Sequence, residues 1–190
     1  LVKMYIGMEE DPQIGGACGE IAVRNARPWH LLDAAQAFEY KISHVLDKGL
    51  AHAQASGTDP AALFNARLAP DMFTLAGQVQ SASDASKLGT ARIAGITAPS
   101  FPDTETSYAE LQARVAKTIE FLNGVDRAGI DGAEAREVVM KVRGNELKFT
   151  AERYLLQFAL PNFFFHVTTA YDVLRHSGVP LSKLDYLGRF

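Results

Sequence analysis

The chain has a single cysteine, Cys18, so it can form no internal disulfide and no cysteine zinc site. No apolar run approaches the ~20 residues needed to cross a bilayer, so no membrane partner is expected. Where a secretory signal would need an apolar stretch, the N-terminal region carries Glu9, Glu10 and Asp11, which points to a cytoplasmic protein. Charge of one sign is also lacking. Nineteen basic residues against twenty-two acidic ones leave a net charge of −3, which argues against a dedicated nucleic-acid binder, because counterion release needs a clustered basic surface. There is no Gly-rich phosphate loop, no Gly-x-Ser-x-Gly elbow and no internal repeat. Cys18 has no neighbouring histidine, so nucleophilic catalysis has no evident candidate.

What is present is ordinary globular sequence: 47% apolar and 22% charged among 190 residues. That length suits one domain at roughly 100–200 residues per domain, and a chain of this size buries about 70% of its unfolded surface. Residues 1–27 stand apart. They hold Gly7, Pro12, Gly15, Gly16 and Gly19 without sustained periodicity, and are read as an N-terminal arm or remnant; a short strand near Ile21–Val23 would fit. Residues 28–190 are read as the folded domain.

Four long segments follow helical periodicity. The first runs from Pro28 to Ala55, with Phe38, Ile42, Val45, Gly49 and His52 on one face. Asp59-Pro60 opens a short helix to about Leu68. The second long helix is expected from Pro70 to Ala94, with Met72, Leu75, Val79, Ala82, Ser86, Gly89 and Ile93 inward, and Gln80, Asp84 and Lys87 outward with Phe73. A crossover containing Pro99 and Pro102 leads to the third, from Ser107 to Gly124, where Ser107 and Glu110 have capping-box spacing. Glu137 to Thr150 reads as a hairpin turning at Gly144-Asn145, which must lie against helices because a lone hairpin is marginal. Thr150 caps the last helix, Ala151 to His176. Its consecutive Phe163, Phe164 and Phe165 span about 200° of helix surface, more than one core covers. The hairpin or a second copy of the chain must cover the rest, hence an expected homodimer. The fold class is all-α: an up-down four-helix bundle with a short β-hairpin before the last helix.

Chemistry concentrates on two helices. Asn162 and His166 sit one turn apart on the last, and Pro161 frees a backbone carbonyl beside them. Gln78 falls on the inward side of the second long helix, where it could face them, and Asp71 is read two turns earlier on the same side. The sharp reading is a small polar constellation in an apolar cavity. The bland one is a set of buried polar groups that satisfy one another and fix helix register. Tyr171 is a further pocket candidate. Asn is a poor ligand for borderline metals, so the Asn162–His166 pair makes at best a weak metal half-site. His30, His44, His52 and His176 are scattered; His176 suits the negative end of its helix dipole.

Two stretches are similar to a known family. One is Arg67-Leu-Ala-Pro-Asp-Met-Phe73 followed by Gln78-Val-Gln80. The other is Leu160-Pro-Asn-Phe-Phe-Phe-His-Val-Thr-Thr-Ala-Tyr171, continuing to Leu174-Arg-His-Ser-Gly-Val-Pro180 and Asp185-Tyr-Leu-Gly188. From about Leu46 to Gly188 the chain resembles an uncharacterised family, domain of unknown function nineteen ninety-three, of the DinB/YfiT-like putative metalloenzyme superfamily. That resemblance implies a four-helix bundle, often dimeric, with three histidines on a divalent metal, and in some members thiol S-transferase or isomerase activity. Carried over by register, the three positions are Gln78, Asn162 and His166, so one histidine of three is kept. Three readings follow. The first is a protein with a polar pocket that binds a small molecule and holds no metal tightly. The second is an enzyme in which His166, Asn162 and Gln78 hold zinc, nickel or iron. The third is a homodimeric structural protein.

Overall fold

The computed structural model describes residues 29–142 and 144–187, with side chains from Ile42 onward. The expected arm, its strand, Cys18, and the side chains of His30 and Phe38 lie outside the described residues. Four long helices account for most of the rest: α1 (Trp29–Ser56), α3 (Leu75–Ala94), α4 (Tyr108–Asn123) and α6 (Leu160–His176). Short helices α2 (Pro60–Phe64), α5 (Ala151–Tyr154) and α7 (Lys183–Leu187) punctuate them. The described residues are thus mostly helical, with one small antiparallel sheet, β1 (Glu137–Val142) and β2 (Asn145–Thr150). No described helix is long and apolar enough to cross a membrane.

Caps set most helix ends. Asp59 accepts from the Ala61 amide at 2.9 Å with Pro60 behind it, and Ser107 Oγ accepts from Glu110 N at 3.3 Å. Glu110 reaches back one residue further than a capping box requires, to the Thr106 amide. Gly95 closes α3 at φ 70°, a left-handed conformation that suits glycine. Two boundaries differ from the sequence reading. The short helix α2 stops at Phe64, where Asn65 caps it, rather than at Leu68. Helix α3 starts at Leu75, not after Pro70: Thr74 Oγ1 accepts from Gly77 N at 3.2 Å, while Arg67 folds onto the Pro70 carbonyl and shapes a turn. Asp71 is therefore in an exposed turn rather than on the helix.

The long helices pack α1 on α4 and α3 on α6, with α3 also against α4 and α1 against α6. Their shared core holds Ile42, Leu46, Leu75, Val79, Leu111, Phe163 and Leu174; burying each such side chain contributes roughly 1.5–3 kcal/mol. A second cluster forms at one end, where Val138 and Met140 of the hairpin meet Ile93, Leu122, Tyr154 and Leu155. The hairpin therefore lies against the helices, in register Val142 with Asn145, and turns at Gly144 with φ 83°. The aromatic run divides: Phe163 is buried, Phe164 half-buried and Phe165 56% exposed.

Lys87 is buried, contrary to the periodicity. The crossover lies over it: Nζ sits 4.1 Å from the Phe101 ring and 2.9 Å from Asp84. Arg114 of α4 is buried beside it and binds Asp84 at 3.1 Å, Asp103 at 2.9 Å and Glu105 at 3.0 Å. This network fastens the structureless crossover to α3 and α4. Burial pushes the Glu105 carboxyl up, but Gln80 and Arg114 outweigh it and hold the group below its ordinary range.

The last long helix is not uniform. Leu155–Ala159 forms a π-helical turn between α5 and α6, and the Leu160 amide bonds to the Leu155 carbonyl. Pro161 explains it: proline supplies no amide and its ring clashes with the carbonyl one turn back. The backbone widens instead of breaking, a device often seen at functional sites. After α6, α7 folds back onto α1 through Asp185, which accepts from Lys48 at 2.8 Å and the Ser182 amide at 2.7 Å and lies 3.1 Å from His44.

Candidate functional site

A cleft of about 300 Å³ runs between α3 and the π-turn–α6 segment, with Met140 of β1 at one end. Helix α3 contributes Ser81, Asp84, Ala85, Leu88 and Arg92, which follow Gln78 at spacings of three and four and so share one face. The opposite wall carries Tyr154, Phe158, Asn162 and His166, each four residues from the next.

Of the five pocket residues read from sequence, two line the cleft and a third supports it. Asn162 and His166 are both in the lining and half-buried. Gln78 is 1% exposed and lies behind His166, its Oε1 2.8 Å from His166 Nδ1. Gln78 Nε2 donates to the Phe73 carbonyl at 3.4 Å, which fixes the amide orientation. The hydrogen on His166 therefore sits on Nδ1, and Nε2 is left as an acceptor. The Asn162 side chain makes no hydrogen bond among the described residues. The other two residues are elsewhere. Asp71 is in the exposed turn before α3. Tyr171 lies edge-to-face on Tyr186 of α7, ring centroids 5.8 Å apart, and is absent from the lining.

Burial lowers the His166 pKa below its ordinary value near 6.5, so the imidazole is neutral at pH 7. Two aromatic rings flank it. Phe73 stacks at 6.3 Å and Phe165 meets it edge-on at 5.3 Å, and both phenylalanines are more than half exposed. At the far end, Arg92 Nη1 donates to the Tyr154 hydroxyl at 2.8 Å, and Tyr154 stacks on Phe158 at 5.8 Å. Among the described residues no group of three His, Cys, Asp or Glu side chains could hold a metal ion.

Arg92, Tyr154 and Phe158 were not anticipated as site residues. The signal was present for Arg92, since extending the Gln78 stripe along α3 leads to it. Tyr154 carries no such signal, since a tyrosine in an apolar helix is ordinary core.

Residues 33–187 match a family model described as Domain of unknown function (DUF1993). Residues 1–54 match another, described as Chitin synthase-like glycosyltransferase domain, and the two overlap within α1. A crystal structure of a DinB family member protein from Shewanella denitrificans is 37% identical, with a TM-score of 0.78 over 85% of this chain and 92% of that one. Chitin synthase 2 of Cryptococcus neoformans var. grubii is 42% identical over 52 residues, which is 25% of this chain. Chitin synthase 1 of Phytophthora sojae is 46% identical over 54 residues, 26% of this chain. The chain spans 6% of the length of each of these curated relatives.

Proposed function

The chain belongs to the DUF1993 family and is DinB-like, and from that premise we propose an up-down four-helix bundle protein whose α3–α6 cleft binds a small organic molecule. The observation that carries this reading is the pairing of His166 with the buried Gln78 at 2.8 Å, beside an Asn162 side-chain amide that has no partner among the described residues. A bare structural role would consume the polar atoms. Here the pairing uses one imidazole nitrogen and leaves Nε2 and the Asn162 amide for a ligand.

The residues present do not fit the three-histidine metal centre implied by the superfamily. Imidazole Nε2 is one good donor, but the other two positions are carboxamides, which are weak ligands for zinc, nickel or iron. Gln78 also spends its oxygen on His166 and its nitrogen on Phe73. We therefore derive no step through a metal. Elemental analysis of untagged protein checks this: stoichiometric transition metal would restore the metalloenzyme reading.

The pocket is tested by ligand-observed NMR with a fragment library. Fragments that bind are expected to lose binding when Ala85→Phe fills the cleft or His166→Ala removes its acceptor. Binding that ignores both changes sinks the reading. A homodimer belongs to the same proposal, with the face that presents Phe73 and Phe165 covered; a monomer mass by light scattering removes it. None of the described side chains of the segment matched to chitin synthases lines this cleft, and the proposal assigns that segment no role.

A further inference from the structure

The far end of the cleft carries a charge that the pocket reading does not use. Arg92 is half-buried, and among the described residues its side chain hydrogen-bonds only to the Tyr154 phenol, with no carboxylate partner. The other well-enclosed cations are matched. Lys87 has Asp84, and Arg114 has three carboxylates. The exposed Arg136 is likewise spent, on the Ile93 and Gly129 carbonyls.

A helix-end role does not account for Arg92. A cation does suit the last turn of α3. However, Arg136 already serves the terminal carbonyl of Ile93, and the last-turn cations of α6, Arg175 and His176, simply stand exposed. Arg92 is instead held under a buried tyrosine and lines the cleft. The acid nearest along the helix within the lining is Asp84, eight residues earlier, about 12 Å at helical rise. Its carboxylate is already bound by Lys87 and Arg114.

Tyr154 adds a second donor. Its oxygen accepts from Arg92, so its own hydrogen is available, and no acceptor for it lies among the described residues. A guanidinium and a phenol O–H that meet in a concave, partly apolar corner form an oxoanion subsite, because charge-assisted bonds to Arg are the stronger class. Between this corner and Asn162, eight residues further along the wall, lie Leu88 and Phe158. One guanidinium and one phenol O–H match a single negative charge, whereas a phosphate dianion would need a second cation in this corner.

We propose that the cleft takes a small monocarboxylate with an apolar body, its carboxylate on Arg92 and the Tyr154 hydroxyl and its other end at Asn162 and His166. This deepens the pocket reading and rests on it.

The test titrates phenylbutanoate, its neutral amide phenylbutanamide, and phenyl phosphate into the full chain by NMR, with wild type, R92Q, R92K, Y154F and the cleft-filling A85F. The acid is expected to bind wild type about tenfold more tightly than the amide. R92Q removes that preference, R92K restores part of it, and Y154F reduces it while the ring still packs. A85F abolishes binding of every probe. Equal binding of acid and amide, unchanged by R92Q but lost in A85F, overturns the carboxylate subsite and leaves the pocket intact. Tighter binding of phenyl phosphate overturns the monocarboxylate assignment. Binding of no probe to wild type, or binding indifferent to A85F, overturns both readings. Should R92Q unfold by circular dichroism, Y154F and R92K carry the same comparison.

Discussion

Replacing Gln78 by Glu tests the centre of the site with almost no change of shape. The substitution puts a carboxylate where an amide oxygen now lies 2.8 Å from His166 Nδ1. In the wild type, burial alone lowers the imidazole pKa. An adjacent anion acts in the opposite sense. With charge centres about 4 Å apart and an effective dielectric near 20, the attraction is about 4 kcal/mol, or about three pKa units at 1.4 kcal/mol each. Desolvation of the new carboxylate, and its repulsion from the Phe73 carbonyl, offset part of this. A rise of about 1–3 units is expected, opposite in direction to the shift that burial causes. The imidazole resonances followed by NMR from pH 4 to 9 measure this directly. The pH dependence of stability weakens as the pKa rises, and it changes sign once the folded value passes the ordinary 6.5. A lowered histidine pKa makes the unfolded state bind more protons, so wild-type stability rises with pH in the window just below 6.5. A raised pKa makes stability fall as pH climbs through the folded value. If His166 in Q78E titrates at or below its wild-type pH, the contact assigned to it is wrong.

Three further outcomes are expected. H166Q keeps a neutral polar group, so the rise in thermal midpoint just below the ordinary histidine pKa flattens relative to wild type, and an unchanged slope would assign the dependence to another group. R114M strips the buried cation from Asp84, Asp103 and Glu105 and lowers unfolding free energy by about 3 kcal/mol in urea; a loss below about 1 kcal/mol would mean that the crossover is fastened otherwise. D185N loosens α7 from α1 at a cost of about 1 kcal/mol at neutral pH. Lys48 above all, with Ser182 and His44, holds the Asp185 pKa well below the carboxylate range, so its contribution is lost as pH falls through the acid range; proteolysis of the C-terminal segment at pH 7, faster in D185N, reports it.

Helix ends with a chemical stop sign were legible in the sequence. Ser107, Thr150, Asp59 and Gly95 each make the cap that their residue type favours, and Gly144 sits at the hairpin turn. The start of α3 was misread because Pro70 suits a first helical turn as well as a loop, and only Thr74 binding to Gly77 decides between them. Helix α7 was missed although Ser182 and Asp185 have capping-box spacing. Lys87 was placed outside because periodicity knows only the helix and not what crosses over it; Phe101 comes from a segment with no period of its own. At the site, Gln78 and His166 could be paired because each stood out as polar on an apolar stripe. The Arg92–Tyr154 corner could not, since an arginine near a helix end and a tyrosine in a core are each ordinary alone.

The widened turn at Leu155–Ala159 governs which side chains can share a ligand. Tyr154 precedes His166 by twelve residues. At 100° each in an unbroken helix, the two would point about 120° apart, onto different sides of the rod. A π-turn absorbs one surplus residue, and the remaining eleven steps bring the pair back to within about 20°. Rewinding this segment into regular α-helix with all its residues kept would give a more uniform rod, yet it would swing the hairpin end around the axis and send the tyrosine away from the histidine. The irregularity thus works as a phase correction for the one residue that a regular helix could not accommodate in this spacing.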